Sequence, residues 1–271
     1  MSLKEKLFKQ LEENEKRMIE IRRHLHENPE LSFKEEKTAQ FIEEFYKDKD
    51  VKVTANVGNG YGIIVEIEGG RGDGPTLGLR ADFDALPIQE EADVEFKSKN
   101  DGVMHACGHD GHTAYMLILG EALIDLKDEW KGKIKLIHQH AEEIPPGGAK
   151  SIVESGILDD LDEVYGIHLM PTLDNGDITL CPGEAMTGRS NFDLKIQGSG
   201  GHGAMPHTTH DALVAGGYFI TSAQTIVSRR MNPNDSVTVS ITAFDAPGGY
   251  NVIQDSVTLR GTVRYLSMDN K

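Results

Sequence analysis

The chain has 271 residues, 38% of them hydrophobic, and 44 acidic against 28 basic residues give it a formal net charge of −16. A chain of this length can form one large or two ordinary domains, each with a buried core. The acidic balance argues against nucleic acid or an anionic membrane as a partner, because both bind basic surfaces. Two cysteines, Cys107 and Cys181, are too few for a disulfide framework.

The N-terminal segment predicts an amphipathic helix, because its apolar residues fall close to one helical face: Leu3, Leu7, Leu11, Met18, Ile21 and Leu25. The segment contains no apolar signal-peptide core, and no stretch of the sequence approaches the length of a membrane span. We therefore predict a cytoplasmic protein. Asn28-Pro29-Glu30 ends the helical pattern, and Ser32 is predicted to cap a second helix that runs to about Phe45.

Beyond this helix, four apolar runs predict strands at 62–67, 76–80, 133–138 and 164–169, with helices at 111–126 and 148–155. This alternation predicts the α/β class, with a mixed, largely parallel sheet flanked by helices. Such sheets bind ligands in the loops beyond the carboxyl ends of their strands. Polar residues fall at these predicted ends: Asp82, Asp84, Glu142, Glu143 and His168.

The composition changes near Cys181-Pro182-Gly183. From there the pattern predicts a strand at 191–197, a helix at 211–229 and strands at 236–244 and 256–266. A β-α-β-β order is the first two-thirds of a split β-α-β unit. We therefore predict two domains, a catalytic metal-binding domain over 1–182 and part of a smaller α+β, ferredoxin-like domain over 183–271.

Cys107 and His109 are spaced so that a thiolate and an imidazole can bind one borderline-soft cation such as Zn²⁺. A Cys-x-His pair alone is more often a buried cysteine beside a surface histidine. Here His105 and His112 flank the pair, and Asp110 could orient an imidazole. This density of ligand-type residues favours a metal site.

Glu142 and Glu143 are adjacent, so one can bind a metal while the other takes a proton from water. For an isolated Glu-Glu pair, a solvated acidic loop is the commoner explanation. Asp82 and Asp84 could orient a ligand histidine or cap the end of a strand. His168 lies in an apolar run, where a hydrogen-bonded core histidine is commoner than a ligand.

The glycine-rich segment 198–207 lacks the Lys-Ser/Thr of a phosphate-binding loop. Its His202 could polarise a carbonyl group, although a flexible turn is the simpler interpretation. Asn251 and Arg264 could bind a substrate carboxylate. As isolated residues, they would more often be surface or turn groups.

Taken in order, these segments resemble the M20 family of metallopeptidases and amidohydrolases. The resemblance is strongest to its hippurate, N-acyl-amino-acid, N-acetyl-diaminopimelate and auxin-conjugate hydrolases. The matching segments are RRHLH (22–26), PEL (29–31), RADFDALP (80–87), MHACGHDGHT (104–113), AEE (141–143), GIH (166–168), GGHGAMPH (200–207), NVI (251–253) and GTVR (261–264).

The resemblance implies a zinc-peptidase-like catalytic domain that binds two divalent ions per subunit, Zn or Mn, with Co or Ni as alternatives. The residues that match the family's metal ligands are Cys107, as the bridge between the ions, with His109, Glu143 and His168. Glu142 matches the general base, and Asp84 matches the acid that orients a ligand.

For the second domain, the resemblance implies a lid that forms a homodimer. His202 matches a lid histidine that reaches the partner's active site and stabilises the oxyanion. Asn251 and Arg264 match residues that contact the carboxylate end of the substrate. The implied substrate is a small N-acyl amino acid or a dipeptide-like molecule.

Two departures from the family pattern bear on these expectations. Members of the family continue for roughly another hundred residues, and that segment completes the lid sheet and supplies the last histidine ligand. In addition, His140 replaces a proline common in relatives, which makes it a further candidate ligand. The alternative hypotheses are a truncated, inactive remnant that only folds or dimerises, and a thiol hydrolase with Cys107 as nucleophile. The thiol hypothesis leaves Glu142, Glu143 and His168 without a role.

Overall fold

A computed structural model describes residues 1–270 of the chain. Contacts between residues divide the chain into a first unit, Met1–Leu173, and a second unit, Asp174–Lys271. The change in composition near Cys181 predicts a domain boundary after Pro182, and residues 174–182 form neither a helix nor a strand. No helix within residues 1–270 combines the length and the apolar character that a membrane crossing requires.

The first unit is a five-stranded sheet with five helices. The helices are α1 (Leu3–Glu13), α2 (Glu15–Glu27), α3 (Glu36–Tyr46), α4 (His109–Asp125) and α5 (Gly148–Glu154). The strands are β1 (Lys52–Val57), β2 (Gly62–Glu68), β3 (Thr76–Asp82), β4 (Lys133–Gln139) and β5 (Glu163–Gly166), in the order β1-β2-β4-β3-β5. Strand β3 is parallel to β4 and β5, whereas the β1-β2 and β2-β4 pairs are antiparallel. The predicted α/β class with a mixed sheet is confirmed.

Strand β2 is covered on both faces of the sheet. Its residues Ile63, Ile64 and Val65 are all fully buried, as expected of a strand covered on both faces. Because successive side chains alternate between faces, Ile63 and Val65 join a cluster with the N-terminal helices and α4. Ile64 instead packs in a second cluster that contains Ile152 of α5.

The N-terminal helices differ from the prediction at two points. The expected single helix is broken at Asn14, whose side-chain amide and backbone N–H both donate to the carbonyl of Gln10. The next helix, α3, begins at Glu36, and Ser32 does not cap it. The Ser32 hydroxyl instead donates to Asp84 Oδ2 at 2.7 Å, a contact between segments 52 residues apart that local sequence patterns cannot reveal.

The second unit has the predicted order of its main elements. It consists of β6 (Gly188–Gln197), β7 (Gly201–His202), α6 (Ala212–Thr225), β8 (Val237–Asp245), β9 (Val252–Ile253) and β10 (Ser256–Tyr265). Strands β6, β10 and β8 form an antiparallel sheet, and β7 pairs with β9. Asp211 caps α6 by accepting the N–H groups of Leu213 and Val214. The α-helix ends at Thr225 and continues as a π-helix over Ile226–Arg230, so helical structure covers the predicted range.

Candidate metal centre

The candidate site is built where the carboxyl ends of three strands meet. Asp82 ends β3, Glu142 and Glu143 follow β4, and His168 follows β5. These strands are mutually parallel through β3, so their carboxyl ends share one edge of the sheet. The sequence pattern predicts a strand over 164–169 that contains His168. In the structure β5 ends at Gly166, so His168 lies in the loop beyond it.

His109 contributes a fully buried imidazole to the site. It begins α4 directly after Gly108, whose φ of 84° lies in the left-handed region that favours glycine. Its Nδ1 lies 2.9 Å from the carbonyl oxygen of Asp84 and 3.2 Å from Asp84 Oδ1. Both atoms accept hydrogen bonds, so Nδ1 carries the proton and the neutral ring presents the lone pair of Nε2.

The atoms around His109 Nε2 point to a cation site. This nitrogen is buried and has no hydrogen-bond partner among residues 1–270, and the same is true of Glu143 Oε1, 3.9 Å away. Asp82 Oδ2 lies 3.6 Å from Nε2 and forms an ion pair with Arg80 Nη1 at 2.7 Å. Buried polar atoms normally have partners, and a shared cation would satisfy those left without one.

Cys107 and His168 complete the set. Cys107 Sγ lies 3.4 Å from His168 Nε2. The other ring nitrogen, His168 Nδ1, donates to the carbonyl of Leu169 at 2.7 Å, so the lone pair of Nε2 points toward the thiol. Three groups of donor atoms, each mutually within 4.8 Å, share His109: Cys107, His109 and His168; Asp82, His109 and His112; His109, Glu142 and Glu143.

Asp84 accepts hydrogen bonds from two of these candidate ligand residues, His109 and Glu143. It is buried, and besides His109 its carboxylate accepts the Ser32 hydroxyl and the backbone N–H of Glu143 at 3.0 Å. Burial raises the pKa of Asp84, but the hydrogen bonds from His109 and Ser32 outweigh it and lower the pKa below its ordinary value. Asp84 is therefore an anion that fixes both the His109 ring and the backbone of Glu143.

The site carries an excess of negative charge. Burial raises the pKa of Asp82, but the hydrogen bond from His112 and the charge of Arg80 lower it to about 2. For Glu142, burial and the charge of Glu143 raise the pKa. Anions gathered in a partly buried site need a compensating positive charge. The sulfur, nitrogen and oxygen donors fit divalent cations of the Zn²⁺ or Mn²⁺ type.

The loop that presents Glu142 and Glu143 has an unusual backbone conformation. Ala141, just before the pair, has a φ of 46°, a left-handed value that is uncommon for a residue with a side chain. Its N–H donates to Glu35 Oε1 at 2.7 Å, and its carbonyl accepts the N–H of Gly148 at 3.0 Å. Glu35 is fully buried, so this carboxyl is an internal support for the loop.

Glu35 makes the stability of the chain depend on pH. Burial raises its pKa from 4.5 to about 7, so the folded state keeps a proton that the unfolded chain releases near pH 4.5. The stabilisation that this bound proton gives the folded state is fully present below pH 4.5. It is lost as the pH rises to about 7, which lowers the free energy of unfolding by up to about 3 kcal/mol. Urea unfolding in the presence of chelator should show this loss in the unaltered chain and a smaller one in Glu35→Gln. The exposed neighbour Glu36 provides the control: Glu36→Gln should keep the full loss, and an unchanged pH slope in Glu35→Gln would contradict the prediction.

Other histidines of the sequence have different surroundings. The candidate ligand His140 is directed elsewhere, because its Nε2 contacts Asn59 Oδ1 at 3.0 Å and its ring lies against Gly60 and Gly62. It joins none of the donor groups found among residues 1–270, so this expectation is wrong. The ring that Asp110 orients belongs to His26, with 2.8 Å between Nδ1 and Oδ2, and not to a predicted metal ligand.

Two of the three candidate residues of the second unit are neighbours, and the third, Arg264, lies apart from them. His202 in β7 pairs with Val252, and the carbonyl of Asn251 accepts the N–H of Gly203 at 2.8 Å, so His202 and Asn251 are neighbours. Strand β10 begins at Ser256, shortly after Asn251 and β9. Arg264 lies eight residues farther along β10, roughly 26 Å at the rise of a strand. Within the described part of the chain, its buried Nη1 has no hydrogen-bond partner. Within this unit the structure does not bring Arg264 to the other two residues.

Comparisons with known proteins agree with this chemistry. Residues 78–264 match the Peptidase family M20/M25/M40. The chain is 43% identical over 261 residues to an N-acyl-L-amino acid amidohydrolase of Geobacillus stearothermophilus, across 96% of this chain and 70% of that protein. It is 40% identical over 248 residues to an N-acetylcysteine deacetylase of Bacillus subtilis (strain 168), across 92% of this chain and 65% of that protein.

Two solved structures are similar over nearly the whole chain. One, from methicillin-resistant Staphylococcus aureus, has a TM-score of 0.93 and 53% identity, and covers 98% of this chain and 70% of that one. The other is a dinuclear metal-binding peptidase of the M20 family from Bacillus subtilis. It has a TM-score of 0.77 and 37% identity, and covers 94% of this chain and 65% of that one. The chain thus spans about two-thirds of the length of the relatives it matches.

Proposed function

Because the chain belongs to the M20/M25/M40 peptidase family of hydrolases, as its motifs predicted, we propose that it is a metal-dependent amidohydrolase that cleaves N-acyl amino acids. The observation that carries the proposal is the cluster of buried, partnerless ligand atoms around His109 Nε2. The substrate class follows relatives whose names specify N-acyl-L-amino acids and N-acetylcysteine.

The proposed metal ligands are Cys107, His109, Glu143 and His168, which would together hold two divalent ions. Zn²⁺ and Mn²⁺ suit this donor set, and Co²⁺ or Ni²⁺ is compatible with it. When bound, such ions polarise a substrate carbonyl and lower the pKa of a water molecule. Asp84 holds the His109 ring with its proton on Nδ1, so that Nε2 is free to act as a ligand.

Glu142 is the proposed general base. It takes a proton from the attacking water and returns it to the leaving amine. Because burial and Glu143 raise its pKa, the carboxylate is more basic than an ordinary glutamate, which favours proton transfer near neutral pH. Glu35 accepts the N–H of Ala141 and so supports its left-handed backbone conformation. This contact helps to fix the orientations of Glu142 and of the adjacent ligand Glu143.

The roles proposed for the second unit come from the family resemblance. His202 would stabilise the oxyanion in the active site of a partner subunit, which requires a homodimer. Its Nδ1 accepts the N–H of Ala204 at 3.1 Å, so the neutral ring carries its proton on Nε2 and can donate from there. Arg264 would bind the carboxylate end of the substrate through its partnerless Nη1. Because Asn251 lies far from Arg264 within the unit, it would have to contact that carboxylate from the partner subunit, as His202 would contact the oxyanion.

The thiol-hydrolase alternative is disfavoured by the surroundings of Cys107. Burial and the charges of Glu143 and Glu142 raise the pKa of its thiol to about 12. A nucleophilic cysteine needs the opposite, a positive neighbourhood that lowers its pKa.

Metal removal tests the proposed function. Hydrolysis of N-acetyl amino acids by the purified chain, followed by amine release, should stop after dialysis against a chelator and return with Zn²⁺ or Mn²⁺. Elemental analysis should find metal before dialysis and none after it. Hydrolysis that survives chelation but stops with a thiol reagent would instead support the cysteine nucleophile. A folded, metal-loaded chain that hydrolyses nothing would support the inactive-module alternative.

A further inference from the structure

His112 is a buried histidine next to the candidate metal centre that has no role in the proposed reaction. It lies one helical turn after His109 in α4 and is fully buried. The two rings stack with their centroids 5.4 Å apart at an interplanar angle of 27°. Position alone would make His112 another metal ligand, since its donor atom lies within 4.8 Å of those of Asp82 and His109.

The hydrogen bonds of His112 argue against a ligand role. The backbone N–H of Leu169 donates to its Nε2 at 2.9 Å. An amide N–H can only donate, so Nε2 must hold a lone pair, and the proton of the neutral ring must be on Nδ1. That Nδ1–H donates to Asp82 Oδ1 at 2.6 Å. Both nitrogens are thus occupied within the protein, and neither has a lone pair free for a metal ion.

The group that His112 holds is directly attached to a proposed ligand. The N–H of Leu169 belongs to the peptide bond that joins it to His168, and the carbonyl of Leu169 accepts from His168 Nδ1 at 2.7 Å. This segment lies beyond the end of β5 and is exposed, with 66% of Ile167 and 49% of Leu169 accessible to solvent. The Leu169 side chain packs against Gly108 and Gly111, and the hydrogen bond from its N–H to the buried His112 adds a directional constraint on the backbone beside His168.

On its other side, His112 is hydrogen-bonded to Asp82, which is itself held in place. Asp82 is buried at the end of β3 and forms an ion pair with Arg80 Nη1 at 2.7 Å. The Nε of Arg80 in turn donates to Gln139 Oε1, at the end of β4, at 2.8 Å. A chain of polar contacts therefore runs from the ends of two paired strands through His112 to the peptide bond after His168.

We propose that His112 is a positioning residue, which holds His168 in place for metal binding by linking the Asp82 carboxylate to the Leu169 amide. This inference rests on the proposed metal centre and concerns how one of its ligands is kept in position. Residues that orient metal ligands typically contribute 10–100-fold to metal affinity.

A double-mutant cycle on metal affinity tests the link without requiring catalysis. Titration calorimetry with Zn²⁺ on the full chain should show about 10–100-fold weaker binding in His112→Phe, which keeps a ring of similar shape but has no nitrogen. In a His168→Ala background the same substitution should cost almost nothing, because the ligand it positions is gone. An equal loss in both backgrounds, or no loss in either, would overturn the proposal.

His138 provides the matched control. It is also fully buried in the first unit, but among residues 1–270 its ring makes a single hydrogen-bond contact, between Nε2 and the Tyr46 hydroxyl at 3.3 Å. His138→Phe should therefore leave Zn²⁺ affinity unchanged. A loss as large as that in His112→Phe would show that removal of any buried imidazole weakens the site, and would overturn the proposal.

A measurement on the unaltered chain decides the question even if His112→Phe does not fold. Long-range ¹H–¹⁵N spectra of the histidine rings report which nitrogen carries the proton. His112 should be neutral with its proton on Nδ1, both with and without Zn²⁺, while Nε2 of His109 and His168 shifts on metal binding. A proton on His112 Nε2, or a shift of that nitrogen by Zn²⁺, would refute the positioning role. If His109 and His168 bind Zn²⁺ but the chain hydrolyses nothing, the proposed function fails and the positioning role stands.

Discussion

A Glu142→Gln variant should bind metal like the unaltered chain but hydrolyse N-acyl amino acids about 10²–10⁴-fold more slowly. Glutamine keeps the shape of the side chain and removes its capacity to accept a proton from water. The proposed ligands are other residues, and the N–H that Asp84 holds belongs to Glu143, so the substitution leaves the donor set intact. Steady-state rates together with elemental analysis of the same samples would measure both effects.

The pH dependence of the rate sharpens this test. Because burial and the charge of Glu143 raise the pKa of Glu142, the unaltered chain should lose activity on the acid side at a pH above the usual range of a glutamate. That acid limb should disappear in Glu142→Gln. The matched control is Glu154→Gln, which removes a carboxylate that is 64% exposed at the end of α5. Near-normal turnover in a metal-loaded Glu142→Gln variant would rule out Glu142 as the base.

The sequence predicts those parts of this molecule that depend on local periodicity. The continuous apolar run of β2 indicates a strand buried on both faces, and the structure places Ile63 and Ile64 on opposite faces of the sheet. The positions of Asp82 and Glu143 after consecutive apolar runs are enough to bring them together, because parallel strands end at one edge. No tertiary information is needed for either inference.

Residues that act through long-range hydrogen bonds cannot be identified in this way. Ser32 has the position of a helix cap, and only the fold shows that its hydroxyl meets Asp84. Glu35 lies 106 residues from the Ala141 N–H that it accepts. His140 resembles a ligand in sequence, but the space left by Gly60 and Gly62 lets its ring turn to Asn59. In each case the chemistry depends on the direction of a side chain, which residue type and spacing do not determine.

Replacement of Cys107 by serine should weaken metal binding by more than the 10–100-fold typical of a residue that only orients a ligand. The thiol binds as a thiolate, and burial with the charges of Glu143 and Glu142 raises its pKa to about 12. Metal must therefore displace a proton from Cys107, so affinity should rise with pH and binding should release that proton. Serine presents a neutral hydroxyl, which does not ionise in this range and is a poorer ligand for soft cations.

Calorimetry in two buffers of different ionisation enthalpy would count the protons released. On loading with metal, the unaltered chain should release about one proton more per chain than Cys107→Ser. Cys181→Ser makes the same chemical change at the exposed cysteine of the second unit and should match the unaltered chain in affinity and proton release. A Cys107→Ser variant that binds metal normally would remove Cys107 from the ligand set. If that variant also lost hydrolysis, the thiol would have to act as the nucleophile, against the raised pKa that its surroundings impose.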